Sequence, residues 1–155
     1  MRRVLLLDVM STLVADPFYD AVPAFFGMTL EALIACKHPT AWVQFELGRI
    51  DEAQMLASFF ADGRSYDHEG LLETMRQGYA WLPGIEALVA ELDAAGVEMH
   101  TLSNYPAWYR LIEARLQLSR SIRWTFVSCK TGLRKPNPAA YRHALAALAV
   151  TPDHA

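Results

Sequence analysis

The run Val4–Leu7, which is entirely apolar and ends directly at Asp8, is the feature that most constrains the fold. Its residues do not alternate between apolar and polar, as they would in a strand with one face in water. Such a run is typical of a strand that is buried on both faces, as in a parallel sheet covered by helices. The sequence therefore predicts a parallel sheet whose first strand ends at a carboxylate.

Two further strands are predicted in the second half of the chain, over residues 97–102 and 124–127. Helical patterns separate and follow them. One begins at Asn137, a good N-cap that precedes a proline at the first helical position. Strands that alternate with helices predict βα units. We therefore expect an α/β fold with a Rossmann-like, three-layer core formed by residues 1–14 and 83–155.

Residues 15–82 have a different pattern, which is helical and contains no convincing strand. Thr29 and Asp51 are good N-caps, and the helix after Asp51 is expected to extend to Ala61. A further helix is predicted over residues 67–78. Because this segment lies between the first two predicted strands, we expect it to form a helical cap inserted into the core.

The composition argues against several classes of protein. The 155 residues are 53% hydrophobic, enough for a packed core, and the net charge of −3 comes without the basic cluster that nucleic-acid surfaces need. No stretch approaches the ~20 apolar residues of a membrane span. Cys36 and Cys129 lie far apart and form no CxxC pair, so a reducing, cytoplasmic location is expected. We therefore expect neither a nucleic-acid partner nor a membrane partner.

Each predicted strand is followed by polar residues that can take part in chemistry. Asp8 follows the first strand, Ser103 and Asn104 follow the second, and Lys135 comes after the third, just before a helix. In open parallel sheets, ligands bind outside the carboxyl ends of the strands, so the loops would bring these residues together. Helix N-termini nearby would add partial positive charge that suits an anionic group.

The chemistry of these side chains suggests a role for each. Asp8 is the candidate nucleophile, because a carboxylate can form a covalent ester or acyl phosphate. Lys135 would hold Asp8 and an anionic substrate together and neutralise charge in the transition state. The hydroxyls of Thr12 and Ser103 would bind substrate oxygens, and Asn104 would orient a neighbouring group.

Taken singly, these residues also have simpler interpretations. An aspartate after a strand is often a turn or capping residue, and Ser-Asn frequently forms a turn. Lys135 can be an ordinary solvated lysine. The joint order, in which each member follows its own strand, favours a common site.

Three stretches of the chain resemble the motifs of the haloacid dehalogenase-like (HAD) superfamily of hydrolases. Residues 5–13 resemble its first motif, an apolar strand followed by Asp-x-Asp-Gly-Thr-Leu. Residues 102–104 resemble the second motif, a Ser or Thr after a strand, and residues 134–138 resemble the third, with its lysine. The helical segment 15–82 lies where subclass I members have their cap.

The resemblance implies Mg²⁺ as cofactor. In the family, the metal is held by the nucleophile, by the backbone carbonyl two residues later and by acids of a fourth motif. Here the first two are Asp8 and the Met10 carbonyl. Met10 also replaces the second aspartate of the first motif, which is the general acid and base of family phosphatases, and methionine cannot transfer a proton. The chain ends at Ala155, before the strand that leads to the fourth motif, so we expect the C-terminal strands of the family fold to be missing and the chain to be a truncated fragment.

Three functions are therefore expected, in order. The default is phosphatase-type hydrolysis of a small anionic substrate through a covalent intermediate on Asp8. The 2-haloacid dehalogenases of the superfamily also lack the second acid and work without metal, so dehalogenation is the alternative within enzymes. A catalytically impaired protein that only binds a ligand or partner is the third.

Overall fold

The computed structural model describes residues 3–152, which contain one parallel three-stranded sheet. Its strands, in the spatial order of the sheet, are β1 (Val4–Leu7), β2 (Glu98–Ser103) and β3 (Arg123–Val127). Leu7 is in register with Thr101, and Ser103 is in register with Val127, so the carboxyl ends of the strands meet at one edge. All three predicted strands are confirmed.

Helices follow or separate the strands throughout the described part of the chain. They are α1 (Ala21–Phe26), α2 (Leu30–Cys36), α3 (Ala41–Glu46), α4 (Glu52–Ala57), α5 (His68–Gly78), α6 (Ile85–Ala94), α7 (Tyr109–Leu116), α8 (Ser128–Thr131) and α9 (Pro138–Leu148), with a 3₁₀ turn at Leu118–Arg120. None of the described helices is long and apolar enough to cross a membrane.

Helices cover both faces of the sheet. Val4 belongs to an apolar cluster with Ala144 of α9. Leu5 packs against the larger cluster that contains Ile112 of α7. Because successive strand residues point to opposite faces, α9 and α7 lie on opposite sides of the sheet. The expected three-layer, Rossmann-like α/β architecture is confirmed.

Several predicted helix starts have the expected capping contacts. The Thr29 hydroxyl accepts a hydrogen bond from the Ala32 N–H at 3.2 Å, and Asp51 forms a reciprocal capping box with Gln54. The Asn137 side chain accepts from the Ala139 N–H at 2.9 Å. These side chains satisfy N–H groups that have no partner within their own helix.

Residues 15–82, called the cap segment below, differ from the prediction in two places. Helix α1 was not predicted, and α4 ends at Ala57 rather than at Ala61. The backbone at Phe59 and Phe60 turns away from helical pairing, since the Phe59 carbonyl accepts from the His38 N–H at 2.7 Å. Phe59 and Phe60 are both buried, so tertiary packing overrides their helical spacing.

The division into a core of residues 1–14 and 83–155 and a cap over 15–82 stays a prediction. Residues 1–2 and 153–155, which that core includes, lie outside the described residues. Among the described strands, β1 pairs with β2 alone and forms one edge of the sheet. Cys36 and Cys129 are free thiols.

Candidate active site

An ion pair at the carboxyl edge of the sheet joins two residues that are far apart in sequence. The Lys135 Nζ lies 2.9 Å from Oδ1 of Asp8. The same oxygen accepts a hydrogen bond from the Val9 N–H at 2.9 Å. Among residues 3–152, Oδ2 of Asp8 has no hydrogen-bond partner, and 44% of the Asp8 side chain is exposed. One carboxylate oxygen is therefore fixed while the other is available to a ligand.

The backbone of Lys135 is held by the side chain of Asn104. The Asn104 Nδ2 donates to the Lys135 carbonyl at 2.9 Å, and the Lys135 N–H donates to the Asn104 Oδ1 at 2.7 Å. Asn104 directly follows β2, so the sheet edge sets the position of the loop that presents the lysine. The structure places Asn104 beside the Asp8–Lys135 pair, as an orienting residue should be.

Ser103, the last residue of β2, is buried with 3% of its surface exposed. Within the described part of the chain, its Oγ has no hydrogen-bond partner. A buried hydroxyl without a partner is costly, by about 1–3 kcal/mol from protein mutational data. A bound ligand could supply the missing partner, although Ser103, like Thr12, is not among the residues that line the cavity described below.

Thr12 is placed differently from the prediction. It is exposed and does not line the cavity described below. The Leu13 and Val14 N–H groups both donate to the Val9 carbonyl, at 2.8 and 3.0 Å, which turns the loop tightly. Ser11, in the left-handed region at φ 58°, lines the cavity instead. The contact of Thr12 with substrate therefore stays a prediction.

The Asp8–Lys135 pair lies in a cavity of about 390 Å³ between the sheet edge and the cap segment. The side chains around it are charged, aromatic or polar. They belong to Asp8, Met10, Ser11, Asp16, Phe18, Tyr19, Lys37, Trp42, Glu46, Asn104, Tyr105 and Lys135. The volume is within the range of about 300–1,000 Å³ that is usual for small-molecule sites.

Aromatic rings form part of the cavity wall. Phe18, Tyr19 and Trp42 come from the cap segment, and Tyr105 comes from the loop after β2. The rings of Trp42 and Tyr105 meet edge to face at 5.9 Å. The Lys37 Nζ lies 5.4 Å from the centre of the Phe18 ring, so this ammonium group makes a cation–π contact in the aromatic part of the wall.

A buried carboxylate ties the cap segment to the lysine loop. Glu46 accepts a hydrogen bond from the Trp42 Nε1 at 2.6 Å, and its other oxygen lies 2.8 Å from Nη2 of Arg134. Burial raises the pKa of Glu46, and the neighbouring Arg134 and Trp42 only partly offset this. Since Arg134 precedes Lys135, this contact links the cap segment to the loop that presents the lysine.

Asp16 is a half-buried carboxyl in the same cavity. Its Oδ1 accepts a hydrogen bond from the Phe18 N–H at 3.0 Å. Burial raises the pKa of Asp16, and the Phe18 hydrogen bond lowers it by less. An acid of this kind retains a proton to a higher pH than an exposed aspartate does.

The cavity-lining charges Asp16, Lys37 and Glu46 were not among the predicted site residues. All three lie in the cap segment, whose position over the sheet edge follows from tertiary packing. The available signal was that Glu46 is a charged residue at the end of the mainly apolar helix α3 and that Asp16 follows the first motif by three positions.

Comparisons with known proteins agree with this architecture, although no protein-family model matches the chain. The chain is 50% identical over 149 residues to Flavin mononucleotide hydrolase 1, a chloroplastic protein of Arabidopsis thaliana. The match covers 96% of this chain and 61% of that protein, so the chain spans less than two thirds of its relative.

Two groups of solved structures have the same fold. A HAD family enzyme of Bacteroides thetaiotaomicron, in complex with magnesium and inorganic phosphate, superposes with a TM-score of 0.79 at 13% identity. That match covers 99% of this chain and 82% of the other. L-2-haloacid dehalogenase of Xanthobacter autotrophicus, with chloropropionic acid covalently bound, has a TM-score of 0.66 at 19% identity, covering 98% and 67%.

Proposed function

We propose that this chain is a haloacid dehalogenase-like hydrolase, as its sequence motifs and its fold support, and that it hydrolyses a phosphomonoester through Asp8. The observation that supports this most is the 2.9 Å contact between Lys135 and Asp8 at the carboxyl edge of the sheet. It leaves one carboxylate oxygen free next to a cation, which is the arrangement that a nucleophile for an anionic substrate needs.

In the proposed reaction, Oδ2 of Asp8 attacks the phosphorus atom and forms an acyl phosphate. Lys135 stabilises the charge on the transferring group, because a cation held in place acts without reorganisation in the transition state. The unpartnered Ser103 Oγ donates to a phosphate oxygen. Water then attacks the acyl phosphate and releases inorganic phosphate.

We propose flavin mononucleotide, or a phosphomonoester with a similarly large aromatic group, as the substrate. The Arabidopsis relative is named for hydrolysis of that compound. The ring system would lie against Phe18, Tyr19 and Trp42, and its phosphate would reach Asp8 and Lys135. Aromatic side chains favour offset stacking against other aromatic rings.

Mg²⁺ is the cofactor that the resemblance implies, and the B. thetaiotaomicron enzyme has been crystallised with it. Asp8 and the Met10 carbonyl would provide two of its ligands. Among the described residues, however, no group of three His, Cys, Asp or Glu could hold a metal ion. Residues 3–152 therefore do not form a complete Mg²⁺ site, and the steps above use only the side chains of this chain.

Haloacid dehalogenation is the second candidate, and Met10 is the observation that favours it. A dehalogenase needs a carboxylate nucleophile but no acid to protonate a halide. The X. autotrophicus enzyme of similar fold has chloropropionic acid covalently bound. Release of phosphate in the presence of Mg²⁺, against release of halide without it, separates the two functions.

The experiment compares the wild-type chain with Asp8→Asn and Lys135→Met. Flavin mononucleotide and 2-chloropropionate are assayed separately, each with and without Mg²⁺. We expect phosphate release that Asp8→Asn abolishes and that Lys135→Met lowers by about 10²–10³-fold in kcat. Lys130→Met, which changes an exposed lysine outside the cavity, is the matched control and should keep full activity.

Mass spectrometry of the protein quenched in acid tests the covalent step directly. A phosphoryl adduct on the Asp8 peptide is expected in the wild-type chain and not in Asp8→Asn. If Asp8→Asn binds flavin mononucleotide as the wild-type chain does, and neither releases phosphate or halide, the protein is a binding protein instead.

A further inference from the structure

The proposed hydrolysis needs a proton donor that the first motif does not supply. An alkoxide leaving group must be protonated as it departs, and the water that attacks the acyl phosphate must lose a proton. Met10 stands at the position of the family's acid and has no proton to transfer. If the proposed function holds, on which this assignment rests, another residue of the chain must transfer the proton.

Three carboxyl groups line the cavity, and two of them are already engaged. Asp8 is the candidate nucleophile and is paired with Lys135. Glu46 has one oxygen on the Trp42 indole and the other on the Arg134 guanidinium.

Asp16 is the third, and it is engaged at one oxygen only. Its Oδ1 accepts from the Phe18 N–H, and no residue within 3–152 is hydrogen-bonded to its Oδ2. It forms no ion pair with a described cation, although Lys37 lines the same cavity. One oxygen of this carboxyl is thus free to exchange a proton with a ligand.

The two buried phenols, Tyr79 and Tyr105, are poor alternatives as proton donors. The hydroxyl groups of Tyr79 and Tyr105 are buried and hydrogen-bonded to each other at 2.7 Å. Burial raises the pKa of Tyr105 well above 10.0. Tyr105 therefore does not give up its proton near neutral pH, whereas a carboxyl group with a raised pKa can be cycled between its two forms.

We propose that Asp16, on the cap segment, is the general acid and base of the reaction and takes the role that Met10 cannot perform. In the first step, Asp8 bonds to phosphorus, the bond from phosphorus to the leaving oxygen breaks, and Asp16 gives that oxygen its proton. The alcohol leaves, and Asp16 is left as a carboxylate. In the second step, this carboxylate accepts a proton from the attacking water as the bond between Asp8 and phosphorus breaks. Phosphate is released, and both aspartates return to their starting forms.

The test uses substrates that differ in their need for a proton. Flavin mononucleotide has an alkoxide leaving group, while p-nitrophenolate departs as a stable anion. Asp16→Asn should lower phosphate release from flavin mononucleotide by about 10²–10⁴-fold. With p-nitrophenyl phosphate it should still give a rapid release of one equivalent of p-nitrophenolate, followed by slow turnover, because only the second step lacks its base.

Asp20→Asn is the matched control, since Asp20 is an exposed aspartate whose side chain makes no capping hydrogen bond to α1. It should behave as the wild-type chain does with both substrates. If Asp16→Asn lowers the first-turnover rate equally for both substrates, or for neither, the assignment to Asp16 is overturned. If Asp8→Asn retains activity, the proposed function fails as well, so the two failures can be told apart.

A measurement on the wild-type chain covers the case in which Asp16→Asn does not fold. First-turnover rates are compared for a series of aryl and alkyl phosphates of increasing leaving-group pKa. If a general acid assists, the first-turnover rate should fall only slightly as the leaving-group pKa increases. A steep decline would mean that the leaving oxygen departs without a proton, and Asp16 would not be the acid.

Discussion

The side-chain amide of Asn104 bonds both to the carbonyl and to the N–H of Lys135, at 2.9 and 2.7 Å. A residue at the end of β2 thereby determines where a lysine 31 positions further along the chain stands. The Nζ of that lysine lies 2.9 Å from Asp8, at the end of the neighbouring strand. The three residues form one unit, in which Asp8 and Asn104 follow β1 and β2 directly and Lys135 lies in the loop between α8 and α9.

Asn104→Ala should lower kcat more than it changes KM. Removing the amide leaves two half-buried backbone groups of Lys135 without partners, at a cost of about 1–3 kcal/mol, and lets the loop move. In the proposed mechanism the lysine acts mainly in the transition state, so we expect a loss of about tenfold to a hundredfold in kcat. Steady-state kinetics measure this effect. Asn104→Asp keeps the acceptor for the Lys135 N–H, so its kcat should lie between that of the wild-type chain and that of Asn104→Ala. A change confined to KM would contradict the positioning role.

Ser103→Ala should make the protein more stable and less active. The Ser103 Oγ is buried without a partner in the described structure, so its removal should raise the free energy of unfolding by about 1 kcal/mol. Loss of a hydrogen bond to a charged phosphate should lower kcat/KM by about tenfold to a hundredfold. Urea unfolding and phosphate release measure the two effects.

Ser128 provides the control for this trade-off. It is equally buried, but its hydroxyl donates to the Glu46 carbonyl at 2.6 Å and accepts from the Tyr105 N–H at 3.0 Å. Ser128→Ala should therefore destabilise the fold. If Ser103→Ala destabilises it to the same extent, the Ser103 hydroxyl has a structural partner and is not reserved for a ligand.

Tyr19→Ala tests the aromatic wall as the binding surface for the leaving group. Tyr19 lines the cavity with 54% of its surface exposed, so its removal should not disturb the core. We expect KM for flavin mononucleotide to rise by about 2- to 10-fold, since an aromatic contact is worth about 0.5–1.5 kcal/mol. KM for glycerol phosphate should stay the same. Tyr141→Ala, at an exposed tyrosine outside this cavity, should change neither value.

Glu46 should make the free energy of unfolding decrease as the pH rises, and Glu46→Gln should abolish that contribution. Burial raises the pKa of Glu46 above its ordinary value of 4.5, so the folded state holds this proton more tightly than the unfolded chain does. The free energy of unfolding therefore decreases as the pH rises through the interval between 4.5 and the folded pKa. Urea unfolding of both chains across that interval measures the difference between them. A wild-type advantage that grows with pH would contradict this assignment.

The strand positions and the order of the candidate site residues could be predicted because they depend on local pattern and on one topological rule. The apolar run Val4–Leu7 is typical of a strand in a sheet that is covered on both faces. Once strands alternate with helices, the residues after them must meet at one edge. That rule predicts that Asp8 and Lys135 lie at the same edge, whereas their 2.9 Å contact also depends on the Asn104 side chain that holds the lysine loop.

Other features could not be predicted from the local sequence, because long-range packing decides them. Phe59 and Phe60 continue a helical spacing, yet they are buried where the backbone pairs with the chain around His38. The tight turn after Asp8 brings Ser11 rather than Thr12 to the cavity. Both outcomes depend on hydrogen bonds to residues that no spacing rule links.

By itself, the sequence determined the α/β class, the parallel sheet and the meeting of a carboxylate with a lysine at its edge, because buried strands and their loops leave few alternatives. Only the tertiary structure decided which cap-segment side chains face that edge. Asp16, Lys37 and Glu46 enter the cavity through packing and through the contact of Glu46 with Arg134. The physical reason is that strand burial is encoded in a few neighbouring residues, whereas the position of one layer over another depends on contacts made across the whole chain.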